Sequence, residues 1–263
     1  MNESLDREQH SKPPRSSWHV PVAALAISVL LLLLFWPTFR WLWWGWTTNE
    51  YYSHGPLVPL VTVYLIWRRR PTNEPAPASN WGLLGLGMGL GGYLLAAALR
   101  APFLSALALI VVLGGLVAFL RGSETLRRWL FPLAYLGFAV PLPFVDAIAT
   151  HMQDLTAQAA TTLVRAMGVP AASEGGRITL ESCSLVVGAP CSGMRSLVAL
   201  LAVAAVLAYL LRGPWPKRVI LFVLAAPLAV AANIIRVVSL LLVANGWGED
   251  AALSYWHTFA SPL

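Results

Sequence analysis

Seven long apolar stretches, separated by short polar loops, dominate the chain: 20–36, 57–67, 81–99, 103–120, 129–145, 193–211 and 219–243. A helix that crosses hydrocarbon needs about 20 apolar residues, with ~17 to 25 tolerated. Each stretch therefore predicts a transmembrane helix, the short second one extending back through Gly55 to the Tyr51–Tyr52 pair. Residues 146–168 follow another pattern. Val145, Ile148, Met152, Leu155, Ala159, Leu163 and Ala166 recur at helical spacing, while Asp146, Gln153, Asp154, Gln158, Thr161 and Arg165 take the opposite side. So many polar groups are costly in hydrocarbon, which predicts a helix lying along the outer interface, ended by Gly168 and Pro170. Beyond it, Arg177-Ile178-Thr179-Leu180 and Leu185-Val186-Val187 flank a polar break and predict a small β-hairpin. The expected fold is an all-α polytopic membrane protein. It has about seven transmembrane helices, one extracytoplasmic interfacial amphipathic helix and a small β-hairpin.

Composition agrees with the pattern. With 57% hydrophobic residues, 11% charged residues, 12 Trp and a mean hydropathy of +0.65, the chain is too apolar for a soluble domain. A net charge of +6 raises nucleic acid as a partner, but the basic residues sit in the loops rather than on one surface. Arg7, Lys12 and Arg15 precede the first stretch, and Arg68, Arg69 and Arg70 follow the second. Arg121, Arg127 and Arg128 follow the fourth; Arg212, Lys217 and Arg218 separate the last two. The alternate loops carry only Arg40, Arg100, Arg165 and Arg177. The charge is therefore topogenic, and it puts the N-terminus in the cytoplasm and the C-terminus outside. Residues 1–19 read as a cytoplasmic polar tail. The first stretch is too long to read as a removable signal peptide.

With this orientation the unusual polar residues can be placed by depth. Cys191 and Arg195, four apart, lie about one turn from each other at the outer end of the sixth stretch. A thiol beside a cation is the arrangement that lowers its pKa and makes a nucleophile. Asn233 and Arg236 share a face of the seventh stretch, Arg236 lying roughly 25 Å up a hydrocarbon core about 30 Å thick. His257 follows that stretch on the outside, and His54 opens the second from the same side. A thiol, two guanidiniums, an amide and two imidazoles thus converge on one depth. Two cysteines are too few for a disulfide scaffold, and whether Cys183 pairs with Cys191 stays open. No two metal-ligating residues recur at ligand spacing, so neither metal nor cofactor is expected.

The run Ala189-Pro190-Cys191-Ser192-Gly193-Met194-Arg195-Ser196-Leu197 resembles the cysteine motif of exosortases and archaeosortases. Asn233-Ile234-Ile235-Arg236-Val237 is similar to that family's downstream Arg motif, and His257 to its following His. Tyr52-Ser53-His54-Gly55-Pro56-Leu57-Val58 resembles its N-terminal signature. The resemblance implies one exosortase-like domain over 20–263, with the interfacial helix and hairpin in 146–190 and the catalytic motifs in 189–257. It implies a membrane cysteine protease and transpeptidase without a cofactor, with Cys191, Arg236 and His257 catalytic and Arg195, Asn233 and His54 supporting. Its partners would be secreted proteins carrying a C-terminal sorting motif (Pro-Glu-Pro-like), a hydrophobic span and a basic end. The location implied is the bacterial inner membrane, with the site on the periplasmic side. Two other readings fit the residues: a transporter or flippase gripping phosphates with Arg195 and Arg236, and a non-catalytic component of an export complex.

Overall fold

The computed structural model describes residues 19–69, 79–181, 183–186 and 192–255. They form ten α-helices, two 3-10 turns and one small sheet. The helices are α1 His19–Leu34, α2 Trp36–Thr48, α3 Leu57–Arg68, α4 Asn80–Ala98 and α5 Pro102–Arg121. They continue with α6 Ser123–Tyr135, α7 Val145–Ala166, α8 Met194–Leu210, α9 Trp215–Trp247 and α10 Glu249–Tyr255. The chain is mostly helical, as its apolar stretches require.

Three of these helices, α4, α5 and α9, are long and apolar enough to cross a membrane by themselves. A fourth crossing comes from α1 and α2 if their pair counts as one span; it is bent by 67° between Leu34 and Trp36. The bend coincides with Pro37, which favours the first turn of a new helix over the interior of an old one. The described helices therefore meet this standard in three or four places, against the seven stretches expected. The second stretch is shorter than anticipated, because α3 starts at Leu57 and residues 53–56 form a turn ahead of it. The fifth is not one continuous helix. α6 contains Pro132 and ends at Tyr135; a 3-10 turn, Leu136–Ala139, follows, and the backbone is extended at Val140. Gly137, Pro141 and Pro143 supply the interruption.

α4 and α5 form the tightest helix pair, brought together by glycines. A Cβ on Gly89 would lie 2.6 Å from Val112 Cγ2, and one on Gly82 only 2.6 Å from the Cα of Phe119. Small residues are what let helix backbones approach when no water drives them together. The ends of the bundle differ in chemistry. At one end the Arg69 guanidinium lies 4.8 Å over the Tyr209 ring, and Trp129 donates to the Arg69 carbonyl at 3.3 Å. This joins the basic end of α3 to α6 and to the last turn of α8. At the other end Trp46 donates to the Ala139 carbonyl at 2.7 Å, and the Leu142 amide donates to the Tyr52 hydroxyl at 3.0 Å.

A separate core is built there on α7 and the last third of α9. Ala157, Ala160 and Val164 of α7 pack against Val237, Val238, Leu241 and Ala244 of α9, with Ala252 of α10 and Ile178 and Leu180 of the sheet. The buried stripe of α7 is thus its small residues. Ile148, Leu155 and Leu163 stay exposed, so the large apolar stripe is not the face that packs on the protein. The expected hairpin is a three-stranded antiparallel sheet: β1 Ala171–Glu174, β2 Arg177–Leu180 and β3 Ser184–Val186, in that order. β1 gave no signal because Ala-Ala-Ser-Glu carries no β-branched or aromatic residue.

Candidate active site

The described residues resume one position after the expected nucleophile, at Ser192. Gly193 caps α8 with φ 77°, in the left-handed region that glycine adopts without steric cost. It also lacks room for a side chain: a Cβ there would meet Cγ and Nδ2 of Asn233 at 2.8 Å and Cβ at 2.9 Å. Asn233 is 1% exposed, and its Nδ2 donates to Thr156 Oγ1 at 3.2 Å. Ser192 is fully buried; its Oγ accepts the Met194 amide at 3.2 Å, and the Tyr51 hydroxyl is hydrogen-bonded to it. The turn that follows Cys191 in the chain is therefore clamped from two sides. The 3-10 turn Glu50–Tyr52 holds Ser192, and α9, itself tied to α7, closes on Gly193.

His54 sits in the turn after Tyr52, its ring stacked on the Tyr52 ring at a centroid distance of 6.1 Å. Its Nε2 lies 3.3 Å from the carbonyl oxygen of Phe138. A carbonyl can only accept, so Nε2 carries the hydrogen and Nδ1 the lone pair. Nδ1 is buried and has no hydrogen-bond partner among the described residues. Burial pushes the His54 pKa below its ordinary value; the Phe138 carbonyl opposes that, and the nearby Arg195 charge adds to it. The imidazole is thus held neutral, with Nδ1 as an unprotonated base. Burial also raises the pKa of Tyr51, with the bond to Ser192 working against it and the charges of Asp146 and Glu50 reinforcing it.

Four of the six expected site residues are described: His54, Arg195, Asn233 and Arg236. Arg195 is exposed in the first turn of α8, close enough for its charge to act on His54, while Arg236 is half-buried on α9 one turn beyond Asn233. Among the described residues neither guanidinium forms an ion pair. Cys191 and His257 lie outside the described residues. Cys183 is a half-buried free thiol packed against the α7–α9 core. A cavity of about 490 Å³ opens on the same side, with Tyr51, Glu50, Asp146 and Trp44 in its wall. Sequence reasoning missed Ser192, Thr156 and Tyr51 as members of this cluster. Buried hydroxyls leave no periodic signal, although Ser192 stood within the cysteine motif and Tyr51 three residues before His54.

The motifs that carry this geometry lie within a family match. The description "Transmembrane exosortase (Exosortase_EpsH)" matches residues 46–263, most of the chain. The chain belongs to the transmembrane exosortase family. No curated protein and no solved structure matches it. Exosortases are generally cysteine peptidases and transpeptidases embedded in a membrane, so this exosortase-family chain is an integral membrane protein. The match begins at Trp46, the residue that packs against Gly55 beside His54, and it includes all six expected site residues.

Proposed function

We propose that this chain is a membrane cysteine protease and transpeptidase that removes C-terminal sorting tails from secreted proteins. The observation that supports this most directly is the clamped turn at Ser192-Gly193. Segments remote in sequence bring Tyr51 and Asn233 to the residues that follow Cys191 in the chain, and the charge of Arg195 there reaches His54. In this reading all seven apolar stretches cross the inner membrane, short ones included, with the N-terminus in the cytoplasm and the site on the periplasmic side. The Cys191 thiolate attacks the carbonyl carbon of the scissile peptide bond, forming a C–S bond and a tetrahedral oxyanion. Arg236 stabilises that oxyanion, a role worth about 3–4 kcal/mol in a water-poor site. The intermediate collapses by expelling the amine of the tail, which takes a proton from His257 and leaves a thioester on Cys191. An acceptor nucleophile, deprotonated by the same imidazole, then attacks the thioester and frees the thiolate. Arg195 and Asn233 orient the charge, and neutral His54 borders it.

The clients are secreted proteins with a short Pro-Glu-Pro-like motif, a hydrophobic span and a basic end. Because the leaving fragment is itself a membrane helix, an embedded enzyme aligns it laterally. The test is tail removal from such a client, co-expressed with the wild-type chain, Cys191→Ala or Cys191→Ser. Wild type should shorten the client and both variants should leave it intact, with a client thioester trapped on wild type alone. Equal processing by Cys191→Ala would sink the reading.

A further inference from the structure

The two outer edges of the small sheet are treated differently. β1 pairs with β2 in the register Ala171↔Leu180, Ala172↔Thr179, Ser173↔Ile178 and Glu174↔Arg177, and β2 pairs with β3 as Arg177↔Val186, Ile178↔Leu185 and Thr179↔Ser184. Antiparallel ladders alternate between hydrogen-bonded and non-hydrogen-bonded pairs. The Leu180 amide donates to the Cys183 carbonyl at 2.8 Å, which fixes the phase of that alternation. Leu185 therefore exchanges its hydrogen bonds with Ile178, while Ser184 and Val186 aim their N–H and C=O groups away from β2. By the same count Ala171 points its carbonyl away from β2, and there Arg165 of α7 donates its Nε–H to it. α7 packs along β1 and thereby closes that edge. No such group meets β3: among the described residues no hydrogen bond reaches the backbone of Ser184 or Val186 on its outer side.

An open edge is normally blunted by charge, proline or a covering segment. Among the described residues β3 has none of these. Ser184 and Val186 present themselves on one exposed face, Val186 being 61% exposed, while Leu185 is directed to the core side. The position of this edge in the chain selects its occupant. Cys191 follows Val186 by five residues, so the two are at most about 17–18 Å apart even on a fully extended path.

We propose that the outer edge of β3 is the peptide-binding edge of this protein, where an extended segment of the client adjoining its scissile bond adds as a fourth strand. The inference rests on the protease reading above. A residue of the client between two outward-facing neighbours exchanges hydrogen bonds with the main chain of β3, and Val186 supplies an apolar contact to a client side chain. Main-chain pairing of this kind binds an extended backbone with little regard to sequence and leaves side-chain selection to neighbouring pockets. It would hold the segment within the reach along the chain that separates Val186 from Cys191.

Two measurements on the full chain in membranes test this. Val186→Pro removes only an outward-facing N–H, leaves the β2–β3 bonds in place and forces extended backbone on Leu185, which is already extended. Val186→Thr keeps the N–H and the β-branch. Val186→Pro should slow tail removal roughly tenfold, the size of one or two net backbone hydrogen bonds, and Val186→Thr, which loses only part of the apolar contact, should slow it by less. Thiol labelling of Cys191 should be alike in all three. Separately, a photoreactive p-benzoylphenylalanine at position 186, in a Cys191→Ala background that retains uncleaved client, should crosslink to client residues adjoining the scissile bond. Wild-type cleavage by Val186→Pro overturns the proposal; so does a crosslink only to lipid or to a second copy of this chain. If Val186→Pro does not accumulate, the crosslink alone decides. Failure of the protease reading is distinct: there the wild-type chain and Cys191→Ala process the client equally.

Discussion

Gly193→Ala is the most informative single substitution in the described structure, because its cost divides into two parts that can be measured separately. At φ 77° an alanine carries the left-handed penalty, about 1–2 kcal/mol. The new methyl must also displace Asn233, whose Cγ, Nδ2 and Cβ lie 2.8, 2.8 and 2.9 Å from where it would stand. Asn233 is 1% exposed and bonded to Thr156, which is itself fully buried, so retreat loses a hydrogen bond between α7 and α9. Overpacking a tight site of this kind adds about 1–3 kcal/mol. The sum, about 2–5 kcal/mol, corresponds to a fall in unfolding temperature of about 5–15 °C for a chain of this size. Gly168→Ala is the matched control: its φ is 88°, and nothing lies within 4 Å of the added Cβ. It should show the backbone penalty alone. The assay is thermal unfolding of the purified chain in detergent, with client tail removal measured in parallel. If Gly193→Ala lost no more stability than Gly168→Ala, the close approach of Asn233 would be refuted. If it lost stability but kept full tail removal, the clamped turn would not be what positions the nucleophile.

Other outcomes follow from the same structure. His54 has its pKa lowered by burial, so the unfolded chain binds more protons than the folded one near and below an ordinary pKa of about 6.5. Its contribution to stability is complete above that value and is lost as pH falls through the folded pKa; His54→Gln should flatten this acid-side slope in unfolding temperatures recorded from pH 8 to pH 5. Along α4, Gly89→Val forces β-branched bulk against the Val112 backbone and should destabilise by about 1–3 kcal/mol, whereas Gly87→Ala enters open space and should be neutral or stabilise by up to about 1 kcal/mol. Thermal unfolding of both variants checks the pair, and equal effects would contradict the helix-pair geometry.

The apolar stretches were legible because membrane burial imposes one simple rule on about 20 successive residues. Their continuity was not. The stretch over 129–145 is apolar enough to read as one span, yet Pro132, Gly137, Pro141 and Pro143 divide it into a short helix, a 3-10 turn and extended chain. Hydropathy sums side chains, while helix continuity depends on backbone donors and on φ, to which such a sum is blind. The packing face of α7 was obscured for a related reason. Large apolar residues were the visible stripe, but close packing on α9 selects Ala157, Ala160 and Val164. The depth argument used only the rise per residue; of its members the described structure sets Asn233 against Gly193 and brings the Arg195 charge to bear on His54. Ser192, Tyr51 and Thr156 lay hidden because a hydroxyl becomes part of a site only through partners that sequence spacing does not reveal.

The length of α9 links these observations. Its 33 residues reach about 50 Å, well beyond a hydrocarbon core about 30 Å thick. Exposure along it divides by face, with Ala225 and Ala229 buried on the same stripe as Asn233 and Ile235 exposed on the other. Ile220, Val223, Leu224 and Leu228 are each at least half exposed, as suits lipid, whereas Asn233, Val237, Leu241 and Ala244 are all nearly or completely buried. The first group belongs to the apolar part of a span, and the second forms the spine of the core shared with α7, the sheet and α10. Asn233 lies within the buried stripe, where it touches Gly193 and bonds Thr156. One helix therefore both meets the clamped turn and packs against the sheet whose β3 leads to Cys191. A connection of this kind ties the position of the turn to that of the sheet. It also explains why the polar residues of the candidate site, costly in hydrocarbon, cluster at this one level of the bundle rather than along its length.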